Sequence, residues 1–271
     1  MAVTLPASTL ARYRKFSLYN SPYPAHDHGR AIDLYPAGNE GLSPVDGEVV
    51  DTRTVRAPDE PHAVANDHLI LVETGEYVAR ILHVEPAVGP GDTVDVGDSL
   101  GEMVRSGFFA PWVDNHVHLG FRARDRNPYR AAGSLPLAVD VDVTPAPWDG
   151  TGTVREAGET SVVLDAPAHP NPGSWAAVEG APDVALDGGC PHYAGGGALP
   201  EADGPVAVAG TPVGVADGRD VAWDDVDVLA NGTPVTGLSL VVAREAVGAK
   251  VVCPGHEFAV GDGVTVSVRR R

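Results

Sequence analysis

The stretch VDNHVHLGFR, residues 113–122, places two of the chain's ten histidines one residue apart. In an extended strand, residues i and i+2 project from the same face. His116 and His118 then stand side by side, where one imidazole can bind a metal ion and its neighbour can move a proton. Exposed polar positions on a half-buried strand are the plainer reading of an isolated HxH pair. The rest of the chain decides, because a metal ion needs further ligands.

Two other stretches supply candidates. HDHGRAIDLYP, residues 26–36, carries His26, His28 and Asp33, and ARILHVEP, residues 79–86, carries His83. Two neutral imidazoles and one carboxylate make a three-ligand site with a fourth tetrahedral position left for water. Zinc can lower the pKa of that water toward ~7 and polarise a carbonyl oxygen. Uncoordinated histidines nearby can take the water's proton and hold a developing oxyanion.

The elements that must position these residues read as strands. Runs rich in Val, Ile and Leu occur at Glu48–Thr52, His68–Glu73, Tyr77–His83, Ser99–Arg105 and His116–Arg122. Turn residues separate them, at Thr74-Gly75-Glu76 and Gly89-Pro90-Gly91-Asp92. Few segments show the 3.6-residue period of a helix. From about Ser134 the texture changes to short strand-like runs between long Gly-, Pro- and Asp-rich loops. They lie at Ser161–Asp165, Val206–Ala209, Val213–Ala216, Asp220–Trp223, Leu238–Arg244, Lys250–Cys253 and Val264–Arg270. The reading is an all-β chain of two domains, residues 1–134 and 135–271, the second sandwich-like.

Taken in order, HDHGRAIDLYP, GLSPVDGEVV (41–50), Leu82-His83, the GPGDTVDVGDSLGEMVRSG hairpin and NHVHLGF resemble the lysostaphin-type (LytM) zinc metallopeptidases, over residues 25–122. The resemblance implies a lysostaphin-like, duplicated-hybrid-motif β-sheet domain. It implies zinc held by His28, Asp33 and His118, with His83 and His116 as catalytic imidazoles. It also implies hydrolysis of an amide or peptide bond; such relatives cut cell-wall peptidoglycan, often near glycines. The family spaces its first pair as HxxxD. Here His28 to Asp33 is one residue longer, which a bulge at Gly29 would absorb. His26 is the alternative ligand at a still longer spacing.

Two rival readings use the same fold. His68 and His83, fifteen residues apart on what read as neighbouring strands, together with SPVDGEVV resemble the glucose-type phosphocarrier proteins, in which one histidine is phosphorylated and the other supports it. That family needs neither HxH nor the His28/Asp33 pair. The other rival is a non-catalytic metal-binding module. Lipoyl-type carriers need a lysine at the hairpin turn, and Lys15 and Lys250 are not placed there. Among weaker signals, Cys190, His192, Cys253 and His256 could assemble a Cys₂His₂ zinc site. Arg122, Arg124, Arg126 and Arg130 read either as an anion-holding group or as a solvated turn.

Composition bounds the setting. The net charge is −18, Asp outnumbers Glu by 24 to 13, and two lysines stand against seventeen arginines. An acidic, lysine-poor surface suits molar salt, where the Debye length falls to ~3 Å and clustered carboxylates repel little. It lacks the basic footprint that nucleic acid requires. No run approaches the ~18 apolar residues of a membrane span, and no apolar leader is apparent. The expectation is a halophilic, cytoplasmic protein with no nucleic-acid or membrane partner and an oligomeric state left open. Its melting temperature should accordingly rise from ~0.1 M to molar KCl as carboxylate repulsion is screened. Thermal melts across KCl check this, and a flat or falling midpoint contradicts it.

Overall fold

Strands hold 53% of the chain and helices 4%, so the all-β reading stands. The computed structural model describes residues 2–271. The chain divides into two compact units, one formed by the residues up to Phe16 and Tyr23–Val141, the other by Ser17–Pro22 and Asp142–Arg271. The division falls after Val141, within ten residues of the expected position near 134, because Leu137–Asp140 pairs in parallel with Val3–Pro6. Ser17–Pro22 belongs to the second unit, where Ser17 Oγ and the Leu18 N–H donate to buried Asp187 at 2.5 and 2.6 Å. No helix among the described residues is long and apolar enough to cross a membrane.

The first unit is organised around six strands: β1 Ala31–Tyr35, β2 Gly47–Arg56, β3 Asn66–Thr74, β4 Tyr77–Leu82, β5 Thr93–Val94 and β6 Val117–Ala123. They pair antiparallel in the spatial order β1-β6-β4-β3-β2-β5. β3 and β4 are joined by the two-residue turn Gly75-Glu76, with Thr74 opposite Tyr77. Gly75 has φ +58°, the position at which a tight hairpin turn needs glycine. One face of the sheet carries Ile32 and Leu34 from β1, Val117 and Leu119 from β6, Ile81 from β4, and Ile70 and Val72 from β3, all fully buried. Registers Leu119↔Ile32, Leu119↔Ile81 and Ile70↔Ile81 put them side by side. Truncating any of the larger ones to alanine would cost about 2–5 kcal/mol. Period-two alternation then sends Asp33 and His118 to the other face. β1 is a strand that sequence patterning misses, since all five residues are buried and a carboxylate interrupts them.

The second unit is also antiparallel for the most part, with a core that includes Val154, Leu164, Val178, Leu186, Val208, Val213, Leu238 and Val251. Its longest feature is the hairpin Gly195–Val208 with Thr211–Trp223, closed by Ala209-Gly210 at φ +48° and +75°. Three separately predicted runs are parts of this one hairpin. The strands Trp175–Ala181 and Val184–Cys190 were not predicted, because their alanine and glycine content hides them.

Candidate metal centre

Antiparallel pairing of β6 with β1 sets His118 directly opposite Asp33. Directly opposed residues share a face with Cβ atoms about 5 Å apart. His118 Nδ1 lies 2.9 Å from Asp33 Oδ1. His26 joins them from the 3₁₀ segment Pro24–Gly29, with Nε2 3.1 Å from His118 Nδ1 and 3.3 Å from Asp33 Oδ1. All three side chains are buried. They are the group of ligand-type side chains among the described residues that gathers closely enough to share one metal ion.

His26 therefore stands where the resemblance assigned His28. His28 is exposed and lies outside the group. The physical reason is local. Pro24, Ala25 and His26 form a tight turn, with the His26 N–H donating to Tyr23 O at 3.0 Å. The chain then extends at Asp27 and swings left-handed at His28 (φ +57°) and Gly29 (φ +60°) before entering β1. A 3₁₀ turn advances only about 2 Å per residue, against about 3.3 Å in a strand. A compact turn thus fits a seven-residue separation between ligands, whereas an extended chain with one bulge would have favoured His28.

The two other site histidines flank this triangle. His116 is two residues from His118, and its Nε2 is 3.4 Å from Asp33 Oδ1. Its Nδ1 donates to the Asp114 carbonyl at 2.9 Å, which fixes the ring. His83 follows β4, beyond Leu82, which pairs with His118. Its ring centroid is 4.9 Å from that of His116 and 5.7 Å from that of His118. Phe109 packs on both His83 and His116, at 5.1 and 4.7 Å. His83 has φ +70°, unusual for a residue with a side chain. Asp67, at the start of β3, holds it there, since the His83 N–H donates to Asp67 Oδ1 at 3.1 Å and Nδ1–H to Oδ2 at 2.6 Å. Ser106 Oγ donates to the same Oδ2 at 2.6 Å. Asp67 and Ser106 carry no motif visible in the sequence; an aspartate next to a candidate histidine, in NDH, is the one hint.

Burial opposes the Asp33 charge, but His116, His26 and His118 around it outweigh burial and hold its pKa well below the usual carboxylate range. Burial pushes His116 down to about 4 and His118 to about 3. At neutral pH Asp33 is a carboxylate beside the neutral imidazoles of His116 and His118, the state in which metal ligands must be. Asp67 is lowered to about 2, because hydrogen bonds and charge from His83, with Ser106 and the His68 N–H, outweigh its burial.

Acid should therefore destabilise the metal-free protein. Between about pH 6.5 and 4 the unfolded chain protonates histidines that the fold keeps neutral, and below about pH 4 the unfolded Asp67 takes a proton that the folded one refuses. Stability is then full above about pH 6.5 and falls as the pH drops. Asp67 alone contributes on the order of 2 kcal/mol, lost between the usual aspartate pKa of 3.8 and about 2. Urea midpoints of chelator-treated protein test this. A midpoint constant from about pH 7 to pH 4 contradicts buried neutral imidazoles.

The other candidate groups form no ligand set among the described residues. His68 Nδ1 pairs with Thr54 Oγ1 at 3.2 Å, while His83 turns to Asp67, so the two rings of the phosphocarrier reading face different partners. Cys190 and Cys253 are buried free thiols. Cys253 Sγ contacts Val251 O, and His256 Nε2 donates to Gly158 O at 2.8 Å. With His192 they form no ligand group among the described residues. Arg122 is buried and fastens the following loop, donating to Ser134 Oγ and to the carbonyls of Arg130, Ala131 and Ala132. Arg124 pairs with Glu73, and Arg126 lies 3.9 Å from Asp125 on the surface.

Two family models cover nearly the whole chain. The one described as domain of unknown function (DUF8155) N-terminal domain matches residues 4–139, and the corresponding C-terminal domain matches residues 144–269. No curated protein matches the chain.

Proposed function

From a chain that belongs to the DUF8155 family, whose description assigns no function, we propose that the first unit is a mononuclear zinc hydrolase cleaving an amide or peptide bond. The observation that carries this reading is the buried triangle of His26 Nε2, Asp33 Oδ1 and His118 Nδ1, with sides of 3.1, 2.9 and 3.3 Å. Zinc bonds of about 2.0–2.2 Å in tetrahedral array put ligand atoms about 3.3 Å apart, so the donors stand near the spacing this ion requires. An imidazole–imidazole–carboxylate set is also a donor chemistry that zinc takes in hydrolases. The ordered resemblance to lysostaphin-type peptidases supports the same reading.

A zinc ion held by these residues would supply Lewis acidity, polarising a carbonyl and acidifying a water molecule. The protein's own imidazoles do the rest. His83 and His116 sit beside the triangle without belonging to it. One takes the proton of the attacking water, and the other holds the carbonyl oxygen as it gains charge. Phe109 packs both rings in place. The HxH pair thus divides its labour: His118 binds, and His116 acts on the reacting atoms. The substrate class is an amide or peptide bond in a small or glycine-containing molecule. Two buried free thiols accord with a cytoplasmic setting.

The test is zinc content of the full-length protein together with cleavage of a glycine-rich peptide library, with and without chelator. The seven-residue spacing of His26 and Asp33 departs from the family pattern and favours, as a second reading, a module that holds metal without turnover. Stoichiometric zinc with no cleavage selects that second reading. No zinc at all refutes both.

A further inference from the structure

Asp67 is fully buried and accepts four hydrogen bonds. Oδ1 takes the backbone N–H groups of His68 at 2.6 Å and His83 at 3.1 Å. Oδ2 takes the His83 ring at 2.6 Å and the Ser106 hydroxyl at 2.6 Å. An ionised carboxylate only accepts, so the hydrogen of the neutral His83 ring lies on Nδ1 and the lone pair on Nε2. His116 also has Nδ1 tied, but to the neutral Asp114 carbonyl. Only His83 of the two has a carboxylate behind it.

We propose that Asp67 is a positioning residue for hydrolysis: it locks His83 in the Nδ1–H tautomer and makes Nε2 of that ring the proton acceptor. The role in hydrolysis rests on the zinc-hydrolase reading above; the tautomer does not. In the reaction, the oxygen of the attacking water bonds to the carbonyl carbon as one of its O–H bonds breaks, and that proton moves to His83 Nε2. The ring becomes an imidazolium whose charge faces Asp67, and the proton passes to the nitrogen of the leaving amine as the C–N bond breaks. His116 is left to orient the carbonyl oxygen.

A purely structural role is the competing account, since Oδ1 caps the two N–H groups that shape the left-handed turn at His83. Oδ2 separates the two. In Asp67→Asn the amide oxygen can keep both backbone bonds, and its NH₂ then faces His83 Nδ1. That nitrogen must accept, so the ring inverts to Nε2–H while the turn persists. The same inversion disables a histidine base when asparagine replaces aspartate in a Ser-His-Asp triad.

Long-range ¹H–¹⁵N spectra of the histidine-labelled, zinc-loaded, full-length protein at about pH 8 decide it. The wild type should show His83 protonated at Nδ1 and bare at Nε2, and Ser106→Ala should keep that pattern. Asp67→Asn should reverse it with zinc content unchanged and kcat lowered by about 10²–10⁴-fold, KM being little affected. A wild-type ring carrying its hydrogen on Nε2 overturns the proposal, even if the asparagine variant does not fold. So does an asparagine variant that keeps the wild-type tautomer. Expected tautomers in a wild type that hydrolyses nothing would remove the hydrolase reading while supporting the lock.

Discussion

His26→Ala is expected to strip zinc from the full-length protein, whereas His28→Ala should leave zinc content unchanged. The direction follows from geometry: His26 Nε2 is within 3.3 Å of both Asp33 Oδ1 and His118 Nδ1, and His28 is exposed outside the triangle. Losing one of three protein ligands should cost more than the 10–100-fold that changes to a metal site's outer partners typically cost. Asp33→Ala and His118→Ala should behave like His26→Ala. Elemental analysis, with competition against a chromophoric chelator, measures the effect. If His28→Ala sheds the metal and His26→Ala keeps it, the turn at Pro24–Gly29 is arranged differently in solution and the ligand assignment reverts to the one suggested by spacing.

The second large effect separates chemistry from binding. His116→Ala and His83→Ala should each retain one zinc per chain yet lose about 10²–10⁴-fold in turnover, the usual worth of general acid–base assistance. The double variant should lose less than the product of the single losses, because the rings lie 4.9 Å apart and act on one reacting group. The assay is single-turnover cleavage of the best peptide from the glycine-rich library, with zinc measured on the same samples. His116 is the sharper case. Its Nε2 is 3.4 Å from Asp33 Oδ1, yet it lies outside the ligand group. Zinc lost with His116→Ala would make it a fourth ligand and close the position that hydrolysis needs open.

Much of this was readable before any coordinates. The all-β class follows from short β-branched runs between glycine and proline turns, because period-two burial and turn chemistry are local properties. That His116 and His118 project to one side is equally local, since the two-residue period of an extended chain carries over from β6 to the residue just before it. Asp33 was reachable because its opposition to His118 accompanies an ordered set of motifs.

Other features required the folded chain. Spacing favoured His28 over His26, and only the fold brings in His26, because the choice turns on whether residues 24–29 run extended or coil into a 3₁₀ turn with two left-handed residues at its end. Asp67 and Ser106 are 39 residues apart and meet only because the start of β3 and the loop after Met103 are brought together around His83. The buried role of Arg122 is likewise tertiary, since the carbonyls that absorb its charge lie eight to ten residues further on, in a loop folded back over the sheet. Cys190 and Cys253 show the reverse: their residue types suggested ligands, yet with His192 and His256 they form no ligand group among the described residues. Local pattern decides which face of a strand a residue occupies; which residues from distant segments share that face is decided by strand register and loop path.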